Sequence, residues 1–290
     1  MKKSEINALV DLLDDPDDHI YDHIREKLFL LGEEAIPILE SAWESSFPSG
    51  QPANILVFQN RIENLIHDIQ LNIVCSQLTN WAKYDQENLL GGALLVAKYQ
   101  YPDLDRDKVL DQIARIRNYA WLEMDDSLTP FEKIQLVNKV LFDIHGFSGN
   151  TKNFHAPQNS FINNVLENKK GNPLSLSILY MVICKALDIP IRGVNLPKHF
   201  IIAYMKGEEI DFYINPFSKG TIFGQRDIND FLIQLEIEPM KDYYNPCGNL
   251  EIITRILINL EFSYDKLGYP DKLGEIRLLM EALKAGGPNA

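Results

Sequence analysis

The apolar pattern of this chain changes its period at Ile189-Pro190-Ile191, and that change limits the fold more than any other feature. Before it, apolar residues recur at helical spacing through segment after segment. After it come three short runs with the β-branched and aromatic content of strands: Ile191 to Leu196, His199 to Met205 and Glu209 to Ile214. Gly207 falls in the turn between the last two. Helical spacing returns over about 227–235, 249–265 and 270–285. Helices, then one helix feeding a small antiparallel sheet, then helices again is the order of an α+β fold rather than an alternating α/β one. The expected architecture is mostly helical, with the sheet packed on a central helix and a helical module at the N-terminus.

Punctuation residues divide the helical part. Ser4 can cap a helix carrying Ile6, Leu9, Val10 and Leu13, which Pro16 ends. A second starts near Asp17, places Ile20, Ile24, Leu28 and Leu31 on one face and stops at Gly32. A third covers about 34–43, and "SSFPSGQPAN" (45–54) has the composition of a linker. Helices are expected at 54–70, 71–84 and 87–98, then at 106–123 after the break Tyr101-Pro102-Asp103. Thr129 as cap with Pro130 in the first helical position starts the next. "FSGNTKNFHAPQNS" is a loop, followed by a short helix over 160–167 for which Asn159 and Ser160 are candidate caps. The segment "LVDLLDDPDDHIYDHIREKLFLLGEEAIPILESAW" resembles a HEAT-type repeat, in which paired helices bury a face by stacking on neighbours. One such unit is visible, so a long solenoid is not expected. Residues 1–85 form the helical module and 86–290 the remainder.

Composition excludes several classes of function. Twenty-eight Lys and Arg against 41 Asp and Glu leave a net charge of −13, the wrong sign for a nucleic-acid partner. The start MKKSEINALVDLLDD meets acids before any apolar stretch, unlike a signal peptide. No apolar run approaches the roughly 20 residues of a membrane span, so no membrane association is expected. Cys75, Cys184 and Cys247 are widely spaced and suggest neither disulfides nor a metal site, which makes the cytoplasm the expected location. His19 and His23 stand i, i+4 but lack a third ligand, so neither a metal nor a cofactor is expected.

The segment that carries possible chemistry is "NKKGNPLSLSILY" (168–180). Gly171 permits a tight turn, Asn172 is a good N-cap, and Pro173 suits the first helical position. Leu176, Leu179, Tyr180 and Ile183 then form an apolar face of a helix running to about Asp188. A helix start beside a sheet favours negative charge, because its free N–H groups stabilise a thiolate or oxyanion.

Taken together, "NSFINNVLENKKGNPLSLSILYMVICKALDIPIRGVNLPKHF" and "INPFSKG" resemble the SirB-type family of transglutaminase-like proteins, a branch of the papain-like thiol fold. The likeness is specific over about 130–225, the expected core of the second domain. In enzymes of this fold a Cys at the helix start attacks an amide carbonyl, a strand His takes the proton, and Asp or Asn orients the His. By that resemblance His199 matches the His and Asn215 the orienting residue, where the family favours Asp. Pro173 stands where the Cys would be, and it lacks both a nucleophile and the backbone N–H that commonly lines an oxyanion hole. Ser175, two helical residues on, is rotated by roughly 200° from that position. Cys184 lies roughly 16 Å further along the axis.

Two expectations follow. In the first, the site is degenerate and is a groove for a peptide or protein partner, with Asn172, Pro173, Asn159, Ser160 and Pro197 around it. In the second, Ser175, His199 and Asn215 form an amide hydrolase or acyl transferase. A third role is scaffolding by the helical module, whose exposed acids would suit a basic partner.

Overall fold

The structure is a computed structural model that describes residues 3–46 and 52–287. The chain forms two compact units, Met1–Gln77 and Leu78–Ala290. The first contains α1 (Lys3–Asp11), α2 (Asp18–Leu31), α3 (Ile36–Ser45) and most of α4 (Pro52–Tyr84). Asp17 caps α2 by accepting from the His19 N–H, and Gly32 ends it with φ 59°. Ser4 lies inside α1 and does not cap it. Val10, Leu13, Leu28, Leu39, Ile62 and Leu65 meet in one apolar core, as the helical spacing requires. The linker expected at 45–54 falls largely on residues outside those described. The two helices expected at 54–70 and 71–84 are a single one. "DIQLNI" holds no Gly, Pro or cap to interrupt the backbone ladder.

In the second unit, α5 (Leu89–Gln100) and α6 (Arg106–Glu123) precede α7 (Pro130–Asn138). Thr129 and Glu132 close a reciprocal capping box at the start of α7. One turn of π-helix, Lys139–Ile144, follows it without a break. A two-residue parallel pair, β1 (Ser148–Gly149) with β2 (Lys170–Gly171), clips the loop after α7 to the start of the central helix. Between these strands lies α8 (Ile162–Asn168); its N-cap is Phe161, so Asn159 and Ser160 are not its caps.

The central helix, α9 (Pro173–Lys185), packs on an antiparallel sheet of β3 (Ile191–Val194), β4 (Ile201–Lys206), β5 (Glu209–Asn215), β6 (Thr221–Phe223) and β7 (Pro246–Cys247). The spatial order is β6-β5-β4-β3-β7. β4 is buried on both faces from Ile201 to Met205, as a middle strand between two helical layers must be. α9 covers one face. On the other, Val194, Ile201, Ala203 and Met205 meet Ile228 and Leu232 of α10 (Gln225–Gln234). β6 and β7 escape sequence reasoning because strands of three and two residues are too short to display a period. α11 (Asn249–Leu267) and α12 (Pro270–Gly286) complete the α+β fold. Among the described residues no helix is long and apolar enough to cross a membrane.

Candidate functional site

The start of α9 is held from several sides. Asn172 caps the helix by accepting from the Ser175 N–H at 2.9 Å, and the Ser175 hydroxyl accepts from the Asn172 N–H at 3.0 Å. The Asn172 amide donates to Ser160 Oγ at 3.0 Å. Asn159 donates to the carbonyls of Asn153 and Phe154, and its Oδ1 accepts from Asn150 at 2.9 Å. Asn159, Ser160 and Asn172 are therefore three buried polar residues that tie the 150–160 loop down onto the helix start. Buried polar groups need such partners, which explains the Asn-Ser pair of the sequence motif. Gly171 is required by close approach: a Cβ there would stand 2.6 Å from Ser175 Oγ.

The serines are turned inward. Ser175 is 2% exposed and its hydroxyl also contacts the Asn172 carbonyl at 3.3 Å. Ser177 is fully buried and donates to the Pro173 carbonyl at 2.7 Å. Small hydroxyls in a first helical turn commonly bond back to backbone in this way. Pro173 itself is buried at the first position of the helix.

The partner histidine comes from the other side. Pro197 and Lys198 are the central residues of a turn closed by the His199 N–H donating to the Leu196 carbonyl at 3.2 Å. Lys198 has φ 60°, and Pro followed by a positive φ is the signature of a type II turn. That turn delivers His199 to the entrance of β4. Its ring is hydrogen-bonded to the side chain of Asn215, the last residue of β5. Asn215 Oδ1 also accepts from the Phe217 N–H at 3.1 Å, and its amide donates to Ser218 Oγ at 3.2 Å. The ring lies against Phe217 and Phe231, with centroids 6.5 and 5.7 Å away. Burial, opposed by the Asn215 bond and assisted by the charge of Arg255, holds the imidazole below its ordinary value. His199 is thus a neutral base at pH 7.

The turn that positions Asn215 is anchored deep in the core. Gly220 has φ 73°, and a Cβ there would overlap the Asn138 amide. That amide donates to the Gly220 carbonyl at 2.9 Å and accepts from the Tyr180 hydroxyl at 2.9 Å. The terminal Gly of "INPFSKG" is thereby accounted for.

The structure pairs His199 with Asn215, while the Ser175 and Ser177 hydroxyls are engaged at the helix backbone. Sequence reasoning missed Arg255, on α11, whose charge reaches His199. Its signal was an Arg in the otherwise apolar stretch Ile252, Ile253, Ile256, Leu257. Neither the buried Cys184 nor the half-buried Cys247 offers a thiolate: burial raises Cys184, and it pushes Cys247 up to about 12. A cleft of about 830 Å³ opens at the opposite end of α9, lined by Met181, Lys185, Arg192 and Cys247 among others. None of the candidate site residues lines it. Among the described residues no three His, Cys, Asp or Glu side chains gather as a metal site.

Comparison with known proteins gives the family of the chain. The family model described as the transglutaminase-like superfamily matches residues 107–258, just over half of the chain. A UPF0162 protein of Xylella fastidiosa (strain Temecula1) is 31% identical over 194 residues, covering 64% of this chain and 68% of the relative. Protein SirB1 of Salmonella typhimurium is 22% identical over 185 residues, 62% of this chain and 68% of its own. The chain belongs to the SirB-type transglutaminase-like family. A shorter stretch of 94 residues, 30% of this chain, is 34% identical to 15% of human F-box only protein 21. No solved structure matches. The family match starts at residue 107 and lends nothing to the HEAT-like resemblance of the first helices.

Proposed function

We propose that this papain-like site is degenerate and binds a segment of a peptide or protein instead of cleaving or crosslinking one. One observation carries the proposal. By the family resemblance the reactive position falls on Pro173, at the start of α9, and the two nearest hydroxyls, on Ser175 and Ser177, are spent on the helix backbone. His199 and Asn215 keep the pairing of a base and its orienter without a nucleophile to serve. A histidine in that setting is a neutral hydrogen-bonding group on a partly aromatic surface.

Two measurements test this. A fluorophosphonate probe is expected to leave the wild-type protein unlabelled; an adduct lost in Ser175→Ala would restore the hydrolase reading. In Pro173→Cys, a thiol at the N-terminus of α9 is expected to react with iodoacetamide at least tenfold faster than Cys247. Equal rates would show that residue 173 is not the vacated nucleophile position.

A further inference from the structure

Arg255 is a cation without a counter-ion. It lies half-buried on α11, and the partner of its guanidinium is a neutral one, with Nη1 donating to Asn195 Oδ1 at 3.1 Å. Among the described residues no carboxylate forms an ion pair with it, and burial alone pulls its pKa down. Glu251, one helical turn earlier, turns instead to the Gly248 N–H. Arg25 and Arg277 by contrast pair with Asp68 and Glu261, whereas Arg117 bonds, like Arg255, to neutral partners. In a chain with 41 acidic residues, leaving a half-buried guanidinium unpaired is a cost that nothing in the core requires. A guanidinium offers five N–H donors in a fork that matches a carboxylate, and most of these are left for a ligand.

Its surroundings restrict that ligand. Asn195, which orients the guanidinium, stands just before the Leu196–His199 turn. From His199 a line of ring contacts runs through Phe217, Phe154 and His155 to Phe262. Phe262 is seven residues beyond Arg255 and therefore on the same face of α11. Phe154 and Phe262 are 41% and 49% exposed, large values for phenylalanines in contact with one histidine ring. A carboxylate anchor beside exposed aromatic surface suits one residue that presents both an anion and an apolar side chain. The last residue of a polypeptide does so. A bare anion would find little to hold it against the net charge of −13.

We infer that the His199 groove takes the free C-terminus of a peptide or protein partner, with Arg255 on its α-carboxylate and an apolar last side chain against the Phe217–Phe154–Phe262 surface. This rests on the binding role proposed above. The test uses the full chain and pools of fluorescein-labelled hexapeptides, with five randomised positions and Phe or Leu last. One pool carries free acids and a second C-terminal amides. A third carries amides with Glu in the last position, which supply a carboxylate only on a side chain. The expected result is binding of the acid pool at least tenfold tighter than either amide pool. Arg255→Gln, which can still reach Asn195, is expected to abolish that preference while keeping weak apolar binding. Ring NMR of wild-type His199 should show its pKa rising with the acid pool and not with the amides, because neutralising Arg255 removes a charge that opposes protonation. Equal binding of acid and amide pools would overturn the C-terminus assignment and leave the groove standing. A Glu-amide pool as tight as the acids would also overturn it, in favour of an acidic side chain. Binding of no pool would overturn the groove itself.

Discussion

The two polar clusters of the candidate site, at the start of α9 and around His199, are built on opposite terms. On the helix side the polar groups around the start of α9 are bonded within the protein: Asn172 with Ser175 and Ser160, Asn159 with Asn150 and the loop carbonyls. On the histidine side the polar groups are under-used. His199 has an amide where the family favours a carboxylate, and Arg255 has an amide where a carboxylate would be ordinary. A working thiol enzyme needs its reactive group on the helix side and its charge balance on the other. Here the helix side is bonded into the fold, while the histidine side keeps a guanidinium without a carboxylate partner. On the reading proposed above, the difference teaches that loss of a nucleophile need not close a site; it can leave the half that recognises.

The comparison can be broken most severely at Gly220. Alanine there meets both a left-handed backbone and the Asn138 amide, and it would dislodge the turn that carries Asn215. Gly220→Ala is expected to cost about 3 kcal/mol or more, read by urea unfolding. Asn172→Ala comes next. It removes the helix cap, worth about 1 kcal/mol, and strands the Ser160 hydroxyl and the Ser175 N–H, for a total of about 2 kcal/mol. If Asn172→Ala proved neutral, the helix side would not be the bonded architecture described above.

Much of this was legible in the sequence where a residue has a single physical use. The Thr129-Pro130 start, the Asn172-Pro173 start and the Asp17 and Gly32 ends of α2 all announce themselves, because caps act locally. The family resemblance is what singled out His199 and Asn215 in the sequence. What was not legible depends on distance or on brevity. α4 was divided where the sequence offers no breaker, and Asn159 and Ser160 bond to a loop and to Asn172 instead of capping α8. β6 and β7 take their place from neighbouring strands. Arg255 belongs to the site only because α11 crosses back; an Arg in an apolar stretch marks the residue but not the place that it reaches.

A subtler change would give His199 the carboxylate that it lacks. The groups facing its ring are Asn215 on β5, Phe217 just after it, Phe231 on α10 and the charge of Arg255 on α11. Its folded pKa is depressed, so the unfolded chain takes the proton more readily than the native one. The stabilising contribution is therefore present above about pH 6.5 and is lost as pH falls through the native value. Asn215→Asp should raise the native pKa by about one unit or more. If it passes the unfolded value, the sign reverses: the contribution is then present below about pH 6.5 and lost as pH rises through the native value. NMR titration of the His199 ring checks this. An unchanged pKa would mean that residue 215 does not face the imidazole, and the histidine side would need redrawing.

The smallest effect is the most discriminating. Ser175→Ala removes one arm of the reciprocal bond with Asn172, and alanine is a good helix residue in the first turn, so the loss is expected to be about 1 kcal/mol. The stability change separates little, because a catalytic serine could give the same. The readouts that separate are on the other side of the groove. If Ser175 is only part of the helix start, the substitution leaves the His199 pKa and the binding of carboxylate-ended peptides unchanged. A serine bonded to the imidazole would move the ring's titration when removed. A hydroxyl committed to its own helix cannot do so, and the Ser175 oxygen, 3.0 Å from the Asn172 nitrogen in a 2% exposed site, is so committed.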